Sequence, residues 1–203
     1  FFYNNIFQNN NNYMSLTFSD LGISSLINKS LIELNINIPS EIQKKSIPVI
    51  LNQKDDFVGL AKTGTGKTAA FGLPLLQLVD STKNNIQAVV LVPTRELGQQ
   101  IVVNLESYAV NFKELSIISI CGGTPIKPQI ERLKETTHIV VATPGRLIDL
   151  IKRNEINLSN TDYLVLDEAD EMVTSLKDGL DKIINVLPKQ RRTLLFSATL
   201  PGT

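Results

Sequence analysis

The sequence predicts an α/β domain in which a mostly parallel central sheet lies between two layers of helices, a three-layer arrangement. Three observations support this prediction. Six apolar runs of four to six residues are typical of strands that are buried on both faces. Stretches with helical periodicity separate these runs. Glycine, threonine and charged residues directly follow several runs, at the edge where parallel sheets bind ligands.

The predicted elements alternate regularly along the chain. Two short amphipathic helices, at 24–34 and 40–51, precede the sheet. The predicted strands span residues 57–60, 88–92, 115–120, 139–142, 163–166 and 193–196. The predicted connecting helices span about residues 67–79, 95–108, 128–134, 146–153 and 176–187. With right-handed crossovers, we expect a helical segment at 14–52 that packs on an α/β domain at 53–203.

The first 13 residues, FFYNNIFQNNNNY, differ in composition from the rest of the chain. They contain only Phe, Tyr, Asn, Ile and Gln, and Met14 follows them. We hypothesise that Met14 is the native start and that residues 1–13 are translated upstream DNA; a genuine Asn-rich disordered tail is the alternative. The segment lacks the basic start and apolar core of a signal peptide. No apolar stretch approaches the roughly 18 residues of a membrane span, so we expect no membrane association.

Composition limits the classes of partner. The 20 Lys and Arg residues balance 20 Asp and Glu residues, so the net charge is zero and any nucleic-acid site must be local. The single cysteine, Cys121, excludes an internal disulfide and indicates a reducing compartment, and we therefore predict a cytoplasmic location. The single histidine, His138, has no His or Cys partner nearby in sequence, which favours a structural role over a metal site.

A glycine-rich stretch follows the first predicted strand and opens a helix. It consists of Ala61, Lys62, Thr63, Gly64, Thr65, Gly66, Lys67 and Thr68. Its glycines allow backbone N–H groups to face an anion, and the helix N-terminus adds positive potential. Lys67 can reach the β- and γ-phosphates of a nucleotide, and the Thr68 hydroxyl can bind Mg²⁺. A glycine turn without a ligand is the alternative.

Acidic residues follow the fifth predicted strand. Asp167 comes directly after the run Leu-Val-Leu, and Glu168, Ala169 and Asp170 follow it. A carboxylate at the end of a buried strand suits a Mg²⁺ ligand beside a phosphate loop, and Glu168 is then placed to orient or deprotonate water. Taken alone, an acidic helix N-terminus explains these residues equally well. The phosphate loop in the same chain favours the catalytic interpretation.

Three further strand ends carry backbone donors, hydroxyls and two arginines. Their residues are Pro93, Thr94 and Arg95, then Gly122 and Gly123, then Thr143, Pro144, Gly145 and Arg146. Each group lies just after a strand and near the start of a helix, so all of them face one edge of the sheet. This edge suits a row of phosphates. It contains no aromatic platform for stacking bases, and ordinary helix capping remains the alternative.

Together these residues resemble the DEAD-box family of ATP-dependent RNA helicases. Residues 167–170 spell the family's namesake quadruplet, and residues 61–68 fit its A-x-T-G-x-G-K-T loop. The strand ends at 93–97, 122–123 and 143–146 match its RNA-contact motifs. The resemblance covers essentially residues 16–203. It implies a RecA-like P-loop NTPase domain that uses ATP and Mg²⁺ and binds the RNA sugar-phosphate backbone independently of sequence.

The resemblance also implies roles for individual residues. Lys67, Asp167 and Glu168 would be catalytic. Ser197, Ala198 and Thr199 match the S-A-T motif, which contacts the acidic motif through residues such as Asp170 and couples nucleotide state to RNA. Residues 38–43 resemble the adenine-reading Q motif, in which Gln43 would hydrogen-bond the adenine edge. Phe18 lies where the family places an aromatic side chain that supports this segment.

Several positions depart from the family pattern. Asn35 and Ile36 stand where the family usually has glycine and an aromatic residue, so the adenine loses a stacking partner worth roughly 1 kcal/mol. Gly98 is usually alanine, and residues 172–177 read MVTSLK where the family often reads MLDMGF. A DNA helicase relative would more often carry histidine at the position of Asp170.

The resemblance implies the ATP-binding half of an RNA helicase that couples ATP binding and hydrolysis to RNA binding and local duplex unwinding. Motifs of a second RecA-like domain, including its arginine finger, are not found in this chain. We therefore expect a monomer that is nearly inactive in isolation. The alternatives are a stand-alone nucleotide-dependent RNA-binding module without efficient turnover, and a helicase-like protein that remodels DNA or protein–nucleic-acid complexes.

Overall fold

A computed structural model describes residues 16–199, in which helices and strands alternate. The strands are β1 Phe57–Leu60, β2 Ala88–Leu91, β3 Ile117–Ile120, β4 Ile139–Ala142, β5 Tyr163–Asp167 and β6 Arg192–Ser197. The helices are α1 Ser25–Glu33, α2 Glu41–Asn52, α3 Lys67–Leu78, α4 Arg95–Tyr108, α5 Ile126–Leu133, α6 Pro144–Lys152 and α7 Ala169–Val186. The hypotheses about residues 1–13 and Met14 lie outside the described residues.

The six strands form one sheet in the order β1-β6-β5-β2-β4-β3, and every neighbouring pair is parallel. This confirms the predicted α/β class. The sheet was predicted to be mostly parallel, and the described strands are all parallel. The register aligns the strand ends, because Leu91 lies opposite both Ala142 and Leu166. All segments that follow strands therefore meet at one edge, which we call the carboxyl edge; the amino edge is the opposite one.

Helices cover both faces of the sheet, as expected for strands without a polar side. On β2, Val90 packs into one core with residues of α1 to α4, whereas Val89 packs into a second core with residues of α6 and α7. All four residues of β2 and of β4 are buried, which explains their continuous apolar sequence. None of the helices within residues 16–199 is long and apolar enough to cross a membrane.

Helix α2 is fastened to the sheet by a buried arginine. The Arg192 guanidinium, at the start of β6, donates hydrogen bonds to the backbone carbonyls of Val49, Ile50 and Asp55. The Ile50 carbonyl lies in the last turn of α2, where backbone oxygens lack helical partners, whereas the Val49 carbonyl also accepts from the Gln53 amide. Arg192 is 8% exposed. The planar fork of arginine can bind several carbonyls at once, so this contact fixes the C-terminal end of α2 to the start of β6.

One predicted helix start was wrong. We expected the last helix to begin near Leu176, but α7 begins at Ala169, directly after the acidic strand end. Asp170 and Glu171 lie in its first turn, where carboxylates are stabilised by the helix dipole. The backbone of Leu176 is non-helical, with φ −133° and ψ 20°, so a kink divides α7 at this residue. The apolar pattern after the kink indicated a helix, and the shorter polar part before it did not.

Candidate nucleotide and nucleic-acid site

The glycine-rich loop between β1 and α3 forms an open cradle at the carboxyl edge. Gly64 and Gly66 have φ values of +80° and +92°, a backbone region that favours glycine. A Cβ atom added at Gly64 would meet nothing within 4 Å, so this part of the loop faces open space. The Thr65 hydroxyl donates to the Lys62 carbonyl at 2.7 Å and closes the loop on itself. The backbone amides are thereby left to face a ligand.

Lys67 and Asp167 meet at the base of this cradle. The Lys67 amine lies 3.9 Å from the nearer Asp167 carboxylate oxygen, and both side chains are almost fully buried. The Lys67 amine has no hydrogen-bond partner within residues 16–199. A buried cation without a partner is costly, and a nucleotide phosphate would satisfy it. The residues present therefore fit a nucleotide phosphate, and Thr68 at the start of α3 and Asp167 are oxygen donors of the kind that Mg²⁺ prefers.

Burial raises the pKa of Asp167 to about 6. Loss of hydration is the main cause, the nearby Lys67 amine lowers the pKa, and Glu168 and Asp170 raise it. The ionised carboxylate is thus unfavourable in this structure. A divalent cation would reverse this penalty, since it favours the ionised form. No group of three or more His, Cys, Asp and Glu side chains that could hold a metal ion occurs among the described residues.

We expect Asp167→Asn to stabilise the protein in a pH-dependent way. Between pH 3.8 and about 6 the native state binds a proton more tightly than the unfolded chain, so stability falls as the pH rises through this window. Asparagine removes the buried charge. The free energy of unfolding should rise by up to about 3 kcal/mol at pH 7.5 and change little near pH 4. Urea denaturation at both pH values measures this, with the exposed Asp181→Asn as control; an equal effect at both pH values would contradict it.

Glu168 adopts a strained backbone at the start of α7. Its φ of 54° and ψ of 50° place it in the left-handed region, which costs a non-glycine residue on the order of 1 kcal/mol. The Thr63 hydroxyl of the loop donates to a Glu168 carboxylate oxygen at 3.3 Å. This conformation directs the carboxylate towards a cavity of about 490 Å³, which Lys67 and Asp170 also line. The Glu168 carboxylate therefore lines the same cavity as Lys67 of the phosphate loop.

Asp170 connects the acidic strand end with the residues after β6. Its carboxylate accepts hydrogen bonds from the Thr199 hydroxyl at 2.7 Å and from the Thr199 amide at 3.1 Å. Its own amide donates to the Ser197 hydroxyl at 3.2 Å. The hydrogen bond from Thr199 is the main reason that the pKa of Asp170 is lowered. The Ser197 carbonyl in turn accepts from the Ala61 amide at 3.0 Å, so these residues also hold the start of the phosphate loop. Ala198, the middle residue of the motif, is exposed and lines the cavity.

Gln43 contacts the phosphate loop itself. Its side-chain amide donates to the Gly66 carbonyl at 3.0 Å, and its oxygen accepts from the Ser40 amide at 2.9 Å. A Cβ atom at Gly66 would lie 2.4 Å from the Gln43 amide nitrogen, so glycine is required there. A glutamine side chain has further donor and acceptor capacity, which leaves room for a contact with adenine. The sequence predicted that contact but not the link to the loop.

The segment before α2 tolerates the unusual Asn35 and Ile36. Asn35 has a φ of 58° at the end of α1, and asparagine is the residue that most readily replaces glycine in this conformation. Ile36 packs partly against the main core. Phe18 is 2% exposed and belongs to the same core. Phe18 thus lies within the same core against which Ile36 packs.

The three strand ends predicted to contact RNA are linked by side-chain hydrogen bonds. The Thr94 hydroxyl accepts from the Leu97 amide and caps α4. Arg95 donates to the Gly123 carbonyl at 3.2 Å, and the Thr143 hydroxyl accepts from the Gly122 amide at 3.2 Å. Helix capping therefore occurs at Thr94, as one sequence interpretation predicted, and hydrogen bonds also fix the strand ends relative to one another. Contact with phosphates stays a prediction.

Arg146 completes this group. One terminal nitrogen donates to the Thr124 carbonyl at 2.8 Å, while the other is buried without a partner in the described part of the chain. Pro144 and Gly145 begin α6 with a proline in its first turn, and Pro93 is half-buried at the end of β2. A fixed guanidinium with an unpaired N–H group suits a phosphate oxygen.

The glycine at position 98 is explained by Cys121. A Cβ atom at Gly98 would lie 2.8 Å from the Cys121 sulfur and 3.2 Å from a methyl carbon of Val92. Cys121 is buried and free, and it follows β3. The two residues therefore fill one space between α4 and the sheet. Sequence alone marked Gly98 as a departure but could not identify its partner, because the two residues are 23 positions apart.

We expect Gly98→Ala to destabilise the chain and Cys121→Ala to relieve the effect. Overpacking costs about 1–3 kcal/mol, and the better helix propensity of alanine offsets about 1 kcal/mol of that. In the double variant the added methyl group occupies the space left by the sulfur. Urea denaturation of the four proteins should give a favourable coupling free energy of about 1–2 kcal/mol. Strict additivity would show that the two positions do not share this space.

Comparison with known proteins agrees with this geometry. The sequence profile of the family described as DEAD/DEAH box helicase matches residues 40–203. The chain is 44% identical to the ATP-dependent RNA helicase CshA of Listeria monocytogenes over 91% of its length, which is 35% of that protein. It is 45% identical to a probable ATP-dependent RNA helicase of Methanocaldococcus jannaschii, over 92% of this chain and 50% of that protein. The chain thus spans a third to a half of the length of these relatives.

Two solved structures are also similar. A crystal structure of a DEAD box protein from the hyperthermophile Methanococcus jannaschii superposes with a TM-score of 0.86 at 44% identity, covering 91% of this chain and 50% of that one. A variant of S. cerevisiae Dbp5 bound to RNA and ADP BeF3 superposes with a TM-score of 0.82 at 30% identity, covering 91% of this chain and 46% of that one.

The parallel sheet, the phosphate loop and the acidic strand end define a P-loop NTPase domain of the RecA-like type. The chain belongs to the DEAD/DEAH box helicase family and corresponds to the N-terminal domain of its DEAD-box RNA helicases. The predicted family and fold are thereby confirmed. The roles of individual residues remain predictions that rest on the contacts described above.

Proposed function

We propose that this chain is the ATP-binding half of an RNA helicase that couples ATP binding and hydrolysis to RNA binding and to local duplex unwinding. The observation that carries the proposal is the buried Lys67 amine, which lies without a hydrogen-bond partner beside Asp167 at the base of the phosphate loop. Curated relatives at 44–45% identity are named as ATP-dependent RNA helicases. The geometry and these names support the same chemistry.

The residues at the loop have different roles in the proposed ATP hydrolysis. The loop amides and Lys67 bind and orient the β- and γ-phosphates. Thr68 and Asp167 would hold Mg²⁺, which when bound neutralises phosphate charge. Glu168 accepts the proton of the attacking water, because its carboxylate is held by Thr63 at the cavity wall. Gln43 ties the adenine-side segment to the loop at Gly66, so nucleotide identity and loop position are linked.

The strand ends of β2, β3 and β4 form the proposed RNA surface. Arg95 and Arg146 are fixed by the carbonyls of Gly123 and Thr124 and retain further N–H donors. Backbone phosphates suit such donors, and the absence of an aromatic platform in these motifs argues against base stacking. The Dbp5 structure in the comparison was solved with RNA bound. We therefore propose contact with the RNA backbone, independent of sequence.

Asp170 is the proposed link between the two surfaces. It lies in the first turn of α7, directly after Glu168 and Ala169, and it holds Thr199 through two hydrogen bonds. A change at the γ-phosphate that moves Glu168 would therefore move the residues after β6 as well. We further propose that the isolated chain is monomeric and that the protein is cytoplasmic; the single cysteine, Cys121, is free, as is usual in a reducing compartment.

A second candidate function is a nucleotide-dependent RNA-binding module without efficient turnover. The cavity beside the loop favours it in one respect. Its described lining contains the carboxylates of Glu168, Asp170 and Glu171 and the single cation Lys67, and no arginine. Binding can proceed with these groups, whereas rapid phosphoryl transfer usually needs a further positive charge.

Replacing Lys67 by alanine tests the nucleotide site. We expect ATP and ADP affinity to fall by about 100-fold, since hydrogen bonds to charged groups contribute roughly 1.5–3 kcal/mol each. Fluorescence anisotropy of a labelled nucleotide measures this. The exposed Lys152→Ala on α6 is the control and should bind as the original chain does. Retained affinity in Lys67→Ala would remove the basis of the proposed function.

A further inference from the structure

A second polar cavity lies at the amino edge of the sheet, opposite the nucleotide loop. It has a volume of about 440 Å³ and is formed by the segments that precede β2, β5 and β6, three neighbouring strands. Its lining includes Lys83, Asn85, Thr161, Asp162 and Arg191. We call it the amino-edge pocket. None of these residues contributes to the nucleotide or RNA surfaces described above.

Two polar groups of the amino-edge pocket are buried without a partner in the described part of the chain. Thr161 is 1% exposed, and its hydroxyl makes no hydrogen bond. The Nε atom of Arg191 is buried and equally unpaired. The other side of this guanidinium donates to the Pro188 carbonyl at 2.9 Å, which fixes its orientation. Buried polar groups are normally hydrogen-bonded, so this pair indicates a ligand.

The charges of the pocket favour an anion. Lys83 and Arg191 both line it, and neither forms an ion pair within residues 16–199. The wall is fixed by backbone contacts, because the Asp162 amide donates to the Gln87 carbonyl and the Asp162 carbonyl accepts from Arg192. One carboxylate, that of Asp162, lines the pocket together with the two cations. The net charge of this lining is therefore positive, with a single carboxylate beside two cations.

We propose that the amino-edge pocket binds inorganic phosphate. Lys83, the Thr161 hydroxyl and the Arg191 Nε–H group supply the donors that phosphate oxygens require. Asp162 accepts a hydrogen bond from the P–OH group that hydrogen phosphate keeps at neutral pH. Sulfate has no such proton, and a phosphate monoester loses it near neutral pH, so the same carboxylate repels both. The pocket thus selects free phosphate over ions of similar size.

A titration of the ¹⁵N-labelled 203-residue chain tests this assignment. Phosphate is added at constant ionic strength, and amide signals are followed by NMR in the segments 83–86, 159–162 and 188–191. Phosphate that binds the nucleotide loop shifts a separate set of signals at 62–68. We expect the amide shifts at the amino edge to saturate, with half-saturation at about 1 mM phosphate. Sulfate and glycerol phosphate should require at least tenfold higher concentrations.

Two variants and a control make the result specific. Arg191→Gln should raise the half-saturating concentration at least tenfold, and Thr161→Val, which keeps the side-chain shape, should raise it severalfold. The loop signals should respond unchanged in both, which also shows that the chain is folded. Arg153→Gln, at an exposed arginine paired with Asp149 on α6, should have no effect. The proposal is overturned if the amino-edge signals do not saturate, if Arg191→Gln responds like the original chain, or if sulfate binds as well as phosphate.

Discussion

Glu168→Gln is expected to lower the rate of ATP hydrolysis by about 10²–10⁴-fold while leaving ATP affinity unchanged. Glutamine has the same shape and still accepts the hydrogen bond that the Thr63 hydroxyl donates at 3.3 Å. It cannot accept a proton from water. The Lys67 amine and the loop amides, which we propose bind the phosphates, are unaffected. The change therefore separates binding from turnover.

The measurement needs a protein in which turnover is fast enough to follow. We suggest a chimera that joins this chain to the second half of the Methanocaldococcus jannaschii relative, since the chain matches 50% of that protein. Phosphate release is measured under saturating ATP and RNA. Glu171→Gln is the matched control, because Glu171 lines the same cavity from three positions further along the chain, in the first turn of α7. If Glu168→Gln turns over normally, the proton acceptor lies elsewhere.

The backbone strain at Glu168 adds a structural argument for its role. A residue in the left-handed region is retained where the surroundings determine its conformation, and such residues cluster at functional sites. Three neighbours determine it here: the buried Asp167, which accepts the Glu168 amide at 3.1 Å, the Thr63 hydroxyl, and the Asp170 amide that is held by Ser197. Glu168 is thus oriented before any ligand binds, as a proton acceptor should be.

Most of the fold could be predicted from the sequence because most of its strands are buried on both faces. The edge strand β1 is the exception, since Val58 and Leu60 are exposed on one of its faces. Continuous apolar runs mark such strands clearly, and all six were placed within a few residues. The strand order β1-β6-β5-β2-β4-β3 could not be read from the runs themselves, since any strand of this composition can pair with any other. The carboxyl edge was predictable for a simpler reason. Parallel strands align their ends, and the polar residues follow those ends.

The contacts that escaped prediction join residues far apart in sequence. Gln43 reaches Gly66, Gly98 adjoins Cys121, and Arg192 holds the end of α2. Each depends on the relative placement of two packed elements, which local patterns do not encode. The early start of α7 was not predicted, for a different reason. Its first turns are polar on most sides, and the kink at Leu176 interrupts the apolar period.

The chain alone is expected to hydrolyse ATP about 10³–10⁵-fold more slowly than the chimera with RNA. The described lining of the cavity explains the expectation, because it contains three carboxylates and one lysine and no arginine. Negative charge spreads over the phosphate oxygens in the transition state, and Lys67 cannot neutralise it alone. An arginine from a second domain would supply the missing charge and exclude water on closure.

The difference in hydrolysis rate between the isolated chain and the chimera also distinguishes the two candidate functions. The isolated chain should bind ADP in the anisotropy assay and yet show almost no RNA-stimulated phosphate release. We expect the chimera to gain its activity from one arginine of the added half. Replacing each of these arginines in turn by alanine should identify one position at which the whole gain in activity is lost while nucleotide affinity remains. Strong RNA-stimulated hydrolysis by the 203-residue chain itself would contradict this account. It would mean that a positive charge of this chain, such as Arg95 or Arg146, reaches the phosphate by a movement that the structure does not contain.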